Sequence, residues 1–585
     1  MRVIPHRRLV FKWLAVAASA GLLWGQGVAT RNAEAAPRPA PSGRPFSARF
    51  TEVGAEAGLR MRFTSGGEKA KKYIVEANGT GVAFLDYDSD GRADIFLVNG
   101  SRLDQPPKDA SNRLYRNLGN GKFTDVTAGA GLIRSGWGNG VCAGDYDNDG
   151  HTDLYVTYWG PNVLYRNTGN GSFSDVTGKA GVAGPPKYWS TGCTFLDYDR
   201  DGRLDLFFAS YQDFDPATTP LPGKGANCEW KGMAVFCGPR GLPYGHAELY
   251  HNRGDGGFER VTVKSRIGEA KGFYAFTSVA ADLNADGWTD IYVASDSTPS
   301  LLFRNNRDGT FSEIGTETGL AFNEHGFEQG GMGVTVGDFD SDGRLDLIKT
   351  NFAGDHPNVY RNLGKGIFED VVLKAGLAVN PQYVGWGVGL ADLDNDGLQD
   401  LFQVNGHVYP ELEQSALSER YLNPRLVYRN LGEGRFEDVS ALAGPGVAEK
   451  KSSRGAAFGD FDNDGDLDVV IMNMGDAPSL LRNDLPPGRH WVQMLLEGRK
   501  SNRSAIGATV TIEAGGRRQT LPVLSQASFL SQNDPRLHFG LGGAERVEKI
   551  RVAWPSGQTE EFGGVEADGV YLVVEGSGEA RPWSR

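Results

Sequence analysis

Asp338-Phe339-Asp340-Ser341-Asp342-Gly343-Arg344-Leu345-Asp346 sets four carboxylates and a glycine in nine residues. Carboxylates this close repel one another unless a cation sits among them. Ca²⁺ suits the pattern, because it takes about six to eight hard oxygen ligands in a flexible geometry. The first, third and fifth residues offer side chains inward, and the glycine at the sixth permits the sharp turn. The seventh can lend a carbonyl and the ninth supplies another carboxylate.

The pattern occurs seven times. The other sets are Asp86, Asp88, Asp90 and Asp94; Asp145, Asp147, Asp149 and Asp153; Asp197, Asp199, Asp201 and Asp205; Asp282, Asn284, Asp286 and Asp290; Asp392, Asp394, Asp396 and Asp400; and Asp460, Asp462, Asp464 and Asp468. Asn284 is the one departure, and it still offers an oxygen. A single Asp-Gly turn can be just a turn capped by Asp; seven in register point to Ca²⁺ as the bound ion. These are not EF-hands. No loop has Glu at the twelfth position, and Leu345-Asp346-Leu347-Ile348 leads into a strand rather than a helix.

The loops stand 59, 52, 85, 56, 54 and 68 residues apart, so the unit is somewhat over fifty residues, with two insertions. Each unit holds four strand-like pieces. In the fifth these begin at Gly333, Leu345, Asn358 and Ile367. Four antiparallel strands in a unit of this length make a propeller blade. The third strand repeats as Leu114-Tyr-Arg-Asn117, Leu164-Tyr-Arg-Asn167, Leu249-Tyr-His-Asn252, Leu302-Phe-Arg-Asn305, Val359-Tyr-Arg-Asn362, Val427-Tyr-Arg-Asn430 and Leu480-Leu-Arg-Asn483. Its Arg-Asn pair reads as a turn and ladder feature. The fourth-strand signature also occurs seven times, but out of phase. It starts at Phe50-Thr-Glu-Val53, with no third strand before it, and Asn483 has no fourth strand after it. Residues 50–53 therefore should supply the outer strand of blade seven and close the ring, which removes two free sheet edges. The expected fold is all-β: a seven-bladed β-propeller over residues 50–484, closed by an N-terminal strand, then a small β-sandwich-like domain over 485–578 and a tail, 579–585.

Strand order assigns the faces. The Asp loops join strands one and two. The insertions Tyr211–Ala247 and Gly406–Arg425 join strands two and three, at the opposite end, where binding would reside. Trp137, Trp189 and Tyr274 each stand eight residues before the first Asp of blades two, three and four. With Trp386 they are the ligand-binding candidates, an aromatic arc suited to sugar rings or protein side chains; packing between blades explains the same pattern.

The net charge of −13 is largely a metal complement, since 27 of the 73 acidic residues stand at the ligand positions of the seven loops. Nothing makes the basic field that nucleic acid needs. Residues 1–35 read as an export signal. Arg2, Arg7, Arg8 and Lys12 form the basic region, Trp13 to Trp24 an apolar core too short to span a bilayer, and Ala33-Glu34-Ala35 a cleavage site. Arg7-Arg8-Leu9-Val10-Phe11-Lys12 also resembles a twin-arginine signal, as two chance arginines would. No later stretch is long and apolar enough to span a membrane, so a secreted or periplasmic protein is expected. Residues 36–49, with four prolines, read as a flexible linker. Cys228 and Cys237 share one insertion and are a disulfide candidate. Cys142 and Cys193 read as buried strand thiols, with a bridge between them left open.

After Asp484 the repeat stops and strands begin at His490, Ala508, Ile550 and Tyr571. Ser501-Asn-Arg-Ser-Ala-Ile-Gly507, Leu537-His-Phe-Gly-Leu-Gly542 and Trp554-Pro-Ser-Gly557 resemble the ASPIC/UnbV domain, and the preceding units resemble FG-GAP or VCBS repeats. Residues 46–578 are thus similar to the family of cartilage acidic protein and its bacterial relatives. The resemblance implies an extracellular Ca²⁺-binding protein and supplies no catalytic residues. The first functional reading is a binding or adhesion module for an extracellular glycan or protein. A second is a polysaccharide lyase or hydrolase with His246, Tyr244, Lys231 or His325 as general acid or base. A third is a purely structural matrix component. No Gly-x-Ser-x-Gly elbow, His-Glu-x-x-His or phosphate loop is present.

Overall fold

Each repeat begins with a strand rich in Gly, Ala and Val, small enough to crowd an axis, and ends with a short strand that alternates one buried Phe with polar residues. The computed structural model describes residues 27–583; the greater part of the expected export signal, residues 1–26 with its paired arginines, lies outside them. Among the described residues the repeats form seven four-stranded antiparallel sheets. In blade one these are Val82–Leu85, Asp94–Leu97, Arg113–Asn117 and Phe123–Asp125, from axis to rim. A single pairing, Trp189 with Trp159, joins blades two and three into one sheet. The inner strands lie side by side in chain order, and the inner strand of blade seven, Ser453–Gly459, returns against Val82–Leu85. The arrangement is a closed β-propeller.

The orphan strands meet as expected. Phe50, Thr51 and Glu52 pair with Asn483, Arg482 and Leu481. Phe50 is fully buried and lies edge-on to Phe402 at 5.3 Å.

Two repeated features hold neighbouring blades together. The first is the third-strand Asn. Its side-chain amide donates to the carbonyl of the second loop residue in the preceding blade, at 2.7–2.9 Å in all seven cases, from Asn167 to Tyr87 O round to Asn117 to Phe461 O. The Arg-Asn turn role also holds, since Asn362 Oδ1 accepts the Gly364 N–H at 2.9 Å. Replacing one such residue, Asn362→Leu, leaves the buried carbonyls of Leu283 and Leu345 without the amide that bonds both. The expected cost is about 1–3 kcal/mol, read by thermal or urea unfolding; a variant as stable as the parent would deny the latch any weight.

The second feature lies at the axis. Gly140, Gly192 and Gly333 stand five residues before the first Asp of their loops. A Cβ there would lie 2.5, 2.2 and 2.1 Å from the carbonyl oxygens of Thr191, Phe276 and Trp386 in the next blade. Only glycine lets the inner strands approach so closely. Just after this position the inner strands of blades two to seven carry a β-bulge, which withdraws one N–H from the ladder and turns it toward the axis.

Those N–H groups meet the C-terminal domain, which is a sandwich of two four-stranded sheets. One sheet holds a parallel pair, His490–Glu497 with Gly569–Val574. The expected tail instead supplies an edge strand, Ala580–Pro582, against Gly569–Val574, with Pro582 where no ladder donor is needed. The loop between its strands Arg517–Pro522 and Leu537–Gly542 enters the propeller axis. Val141 N donates to Leu530 O, Cys193 and Ser278 N to Gln526 Oε1, Val334 N to Ser528 O, Val388 N to Ser528 Oγ and Val82 N to Ser531 Oγ. Asp534 N donates to Phe458 O of blade seven. The loop therefore plugs the channel and bonds all seven blades.

The stretch read as a flexible linker is also docked. Arg38 pairs with Asp438, Ser42 bonds Glu437 through both N and Oγ, and the buried Arg429 donates to the carbonyls of Arg44 and Pro45. Ionic and carbonyl anchors on blade six hold a proline-stiffened strap that has little entropy to lose.

Candidate metal centres

The nine-residue loops share one backbone form. The fourth residue is left-handed in all seven, with φ of 55–62°, and so is the glycine at the sixth. This turns the N–H groups of the fifth and sixth residues onto the first carboxylate. In blade five Asp338 accepts the N–H groups of Asp342 and Gly343, both at 2.9 Å. Asp346 is held from two sides: Oδ1 accepts the Asn362 N–H at 2.7 Å and Oδ2 the Phe339 N–H at 3.2 Å. The third residue is different. Asp88, Asp147, Asp199, Asp340, Asp394 and Asp462 each have a buried carboxylate oxygen with no hydrogen-bond partner. Such an oxygen is costly unless something unseen pairs with it.

Four of these clusters converge from the expected residues. Asp86, Asp88 and Asp90 each bring one oxygen within 4.8 Å of the others, as do Asp145, Asp147 and Asp153; Asp197, Asp199 and Asp205; and Asp338, Asp340 and Asp346. Orphaned oxygens, hard donors and a preformed loop fit a Ca²⁺-sized cation. The arginine of the third strand flanks three of the four clusters. Arg361 Nε stands 2.6 Å from Asp340 Oδ2, Arg166 Nε 2.5 Å from Asp147 Oδ2 and Arg116 Nε 2.6 Å from Asp88 Oδ2. Blade three has His251 instead, with Nδ1 3.2 Å from Asp205 Oδ1 and 3.4 Å from Asp199 Oδ2. With Asp199 and Asp201, His251 forms a further group that could hold a metal ion, signalled in the sequence by His in place of Arg.

Burial, reinforced by neighbouring carboxylates, drives the loop acids upward: Asp94 and Asp197 to about 8, Asp338 and Asp460 to about 7, and Asp346 to about 9. These values exceed the ordinary carboxylate range, so the ion-free folded ring binds protons that the unfolded chain has lost. Its stability is then highest below about pH 4 for this contribution and falls as pH rises through 7–9. In EGTA the melting temperature should drop between pH 5.5 and 8.5, and millimolar Ca²⁺ should remove that slope. A flat or rising profile in EGTA would contradict the assignment.

The C-terminal domain covers part of this face. Gln493 Nε2 donates to Asp460 Oδ2 at 2.8 Å, Arg489 pairs with Asp394 at 2.7 Å, and Asp145 N donates to Ser504 Oγ at 2.9 Å. Glu575 anchors the docking loop by accepting the N–H groups of Arg499, Lys500 and Ser501 at 2.7–2.8 Å, while its other oxygen accepts from Ser556 Oγ at 2.7 Å.

With the repeat, the loops and this domain in view, the family follows from matched models. FG-GAP-like repeats match residues 86–156, 145–208, 235–293, 282–348 and 420–471, and the ASPIC and UnbV model matches 498–580. The chain is an FG-GAP-like repeat protein with an ASPIC and UnbV domain. It is similar to Cartilage acidic protein 1 of Homo sapiens, 26% identical over 72% of this chain and 69% of the relative, and to that of Mus musculus at 27% over 72% and 70%. Among solved structures it overlays loosely on an Agrocybe aegerita lectin specific for non-reducing terminal N-acetylglucosamine, with 18% identity, TM-score 0.37, and coverage of 69% of this chain and 94% of the lectin. In this FG-GAP-like ring, Ser501 and Ser556 of the ASPIC and UnbV motifs serve the Glu575 anchor.

The opposite face departs from expectation. Trp137, Trp189, Tyr274 and Trp386 do not form an exposed platform: all are buried, Trp189 at 0% and Trp386 at 1% exposure. Their polar atoms are spent internally, Trp189 Nε1 on Asn139 Oδ1 at 3.0 Å and Trp386 Nε1 on Gly406 O at 2.8 Å. Other rings cover them. Phe529 of the plug lies 4.8 Å from Trp386. Tyr211 packs on Trp189 and Tyr274 at 4.9 and 5.7 Å, and Trp159 on Trp137 at 6.3 Å. In the same core Trp230 and Phe236 of the blade-three insertion pack on Tyr409 of the blade-six insertion at 5.9 and 4.9 Å. Cys228 and Cys237 are joined by a disulfide in that insertion, while Cys142 and Cys193 are buried free thiols. The acid–base candidates are engaged separately. Lys231 pairs with Glu419, His246 stacks on Tyr188, Tyr244 packs on Tyr274 and His325 pairs with Glu324.

Proposed function

We propose that this protein is an exported, calcium-loaded propeller that acts as a binding module for an extracellular glycan or protein, and not as an enzyme. The observation that carries the metal part is the orphaned third-position oxygen, repeated in six of the loops. Loop ligands of which the first, fifth and ninth are held by backbone N–H groups while the third points an unpaired oxygen, as in blade five, are what a hard cation requires. The similarity to Cartilage acidic protein 1 and the N-terminal signal support an extracellular setting. The binding role rests on architecture. Both ends of the axis are filled, so a partner would meet the loop rim, on a scaffold that ions and latches keep rigid.

Two measurements test this. Protein dialysed against millimolar Ca²⁺ and then desalted should retain several ions per chain by elemental analysis; retention of none would end the calcium reading. A glycan and extracellular-protein binding screen run with Ca²⁺ and with EGTA should give Ca²⁺-dependent binders. A screen without any binder would leave a structural role as the better account.

A further inference from the structure

A cavity of about 630 Å³ opens at the seam where the ring closes. Its walls come from the segment after the closing strand, the loop between strands two and three of blade one, Tyr421 of the blade-six insertion, and Met474 and Gly475 of blade seven. A second hollow beside it shares Gly66, Glu68 and Arg102. The site exists only when residues 50–52 are paired with blade seven, because the closing strand positions the segment that forms its floor.

The charge here runs against the rest of the molecule. The chain carries −13 overall, yet residues 60–72 hold five basic groups and one acidic. Arg60, Arg62, Lys71, Arg102 and Arg113 line the cavity against Glu68, Asp109 and Asp125. Arg62 is aimed by a bond from Nε to Gly475 O at 2.9 Å. Its other arm and Arg102 share one half-exposed carboxylate, Glu68, at 3.1 and 3.3 Å. The Arg60 guanidinium has no side-chain partner among the described residues, although its backbone N–H is fixed on Tyr115 Oη at 3.2 Å. Lys71 is buried and donates to Ser65 O at 2.5 Å. Guanidinium groups outnumber their counter-ions, and Met61, Phe63 and Tyr421 supply an apolar wall.

We propose that this cleft binds a saccharide chain bearing carboxylate or sulfate groups, with Arg60, Arg62 and Arg102 taking the acidic groups in place of Glu68. Planar guanidinium forks match both anions, and an apolar wall accepts the face of a sugar ring. The assignment rests on the binding-module reading and names its ligand class and site.

The full chain in 1 mM Ca²⁺ is titrated by calorimetry with hexagalacturonate, a heparin-derived hexasaccharide, neutral maltohexaose and sodium sulfate. At least one acidic oligosaccharide should bind, more weakly as salt rises, and maltohexaose should not. The double variant Arg60→Glu/Arg102→Glu should bind at least about tenfold more weakly, and the milder Arg60→Gln/Arg102→Gln pair should fall in the same direction. Lys264→Glu, an exposed charge reversal between blades three and four, should change nothing. Acidic oligosaccharides that fail to bind at millimolar concentration, or that bind the double variants as they bind the parent, overturn the proposal. So does binding of free sulfate alone. A partner from the wider screen that ignores both Arg60 and Arg102 would keep the module reading and refute this cleft.

Discussion

Excess EGTA should lower the melting temperature by about 10 °C relative to 1 mM Ca²⁺. With a dissociation constant of about 10⁻⁴ M, near the tight end of extracellular sites, each ion adds about 1.4 kcal/mol at 1 mM. Seven independent sites add about 10 kcal/mol, as much as the whole stability of an ordinary domain. The loss should come in two phases. Asp394 and Asp460 lie under Arg489 and Gln493 of the C-terminal domain, so the ions of blades six and seven should leave last. Blade four, whose third position is Asn284, should bind most weakly. Melting curves that coincide with and without chelator would sink the metal assignment and the pH behaviour derived from it.

The second large effect is expected at the plug. Phe529 is fully buried between Phe276 and Trp386, at 5.4 and 4.8 Å. Phe529→Ala removes the ring where seven inner strands converge, a place that cannot collapse to fill the space. The expected cost is about 3–5 kcal/mol in denaturant unfolding. Because the same loop satisfies bulge N–H groups in most blades, the cost should appear in propeller and C-terminal domain together, as one transition. Two separate transitions in the parent, with only the later one moved by the substitution, would show that the two parts fold independently.

Much of the architecture could be read from the chain because it was repeated. The Tyr-Arg-Asn signature placed the blades, and its half-step offset from the Phe-led fourth strand revealed the closure that Phe50 and Asn483 make. The acidic clusters of the loops were legible for the same reason. What escaped was everything that occurs once. The plug is a short run of Ser, Gln, Phe and Leu with no period of its own, and its meaning depends on N–H groups supplied by other blades. The glycines that precede those bulges were a visible sign of crowding at the axis, and they went unread. Trp137, Trp189 and Tyr274, at equivalent blade positions, do fall with Trp386 in one cluster, but that cluster is buried core. Their burial depended on neighbours the pattern did not point to, Tyr211 against Trp189 and Tyr274, and Phe529, which belongs to no repeat, against Trp386. The interblade bonds of the third-strand Asn were hidden because a turn already explained that residue.

The pairing of the two ends of the ring also sets a timetable. Arg49 N bonds Asn483 Oδ1 across 434 positions, and the plug lies farther still along the chain. A ribosome part-way through this message has made sheets with raw margins at both ends and an empty bore between them. Closing so long a loop is slow, and open margins invite neighbouring copies to pair. Maturation thus belongs to the finished polypeptide, and the cell must shield every nascent copy until its last hundred residues arrive.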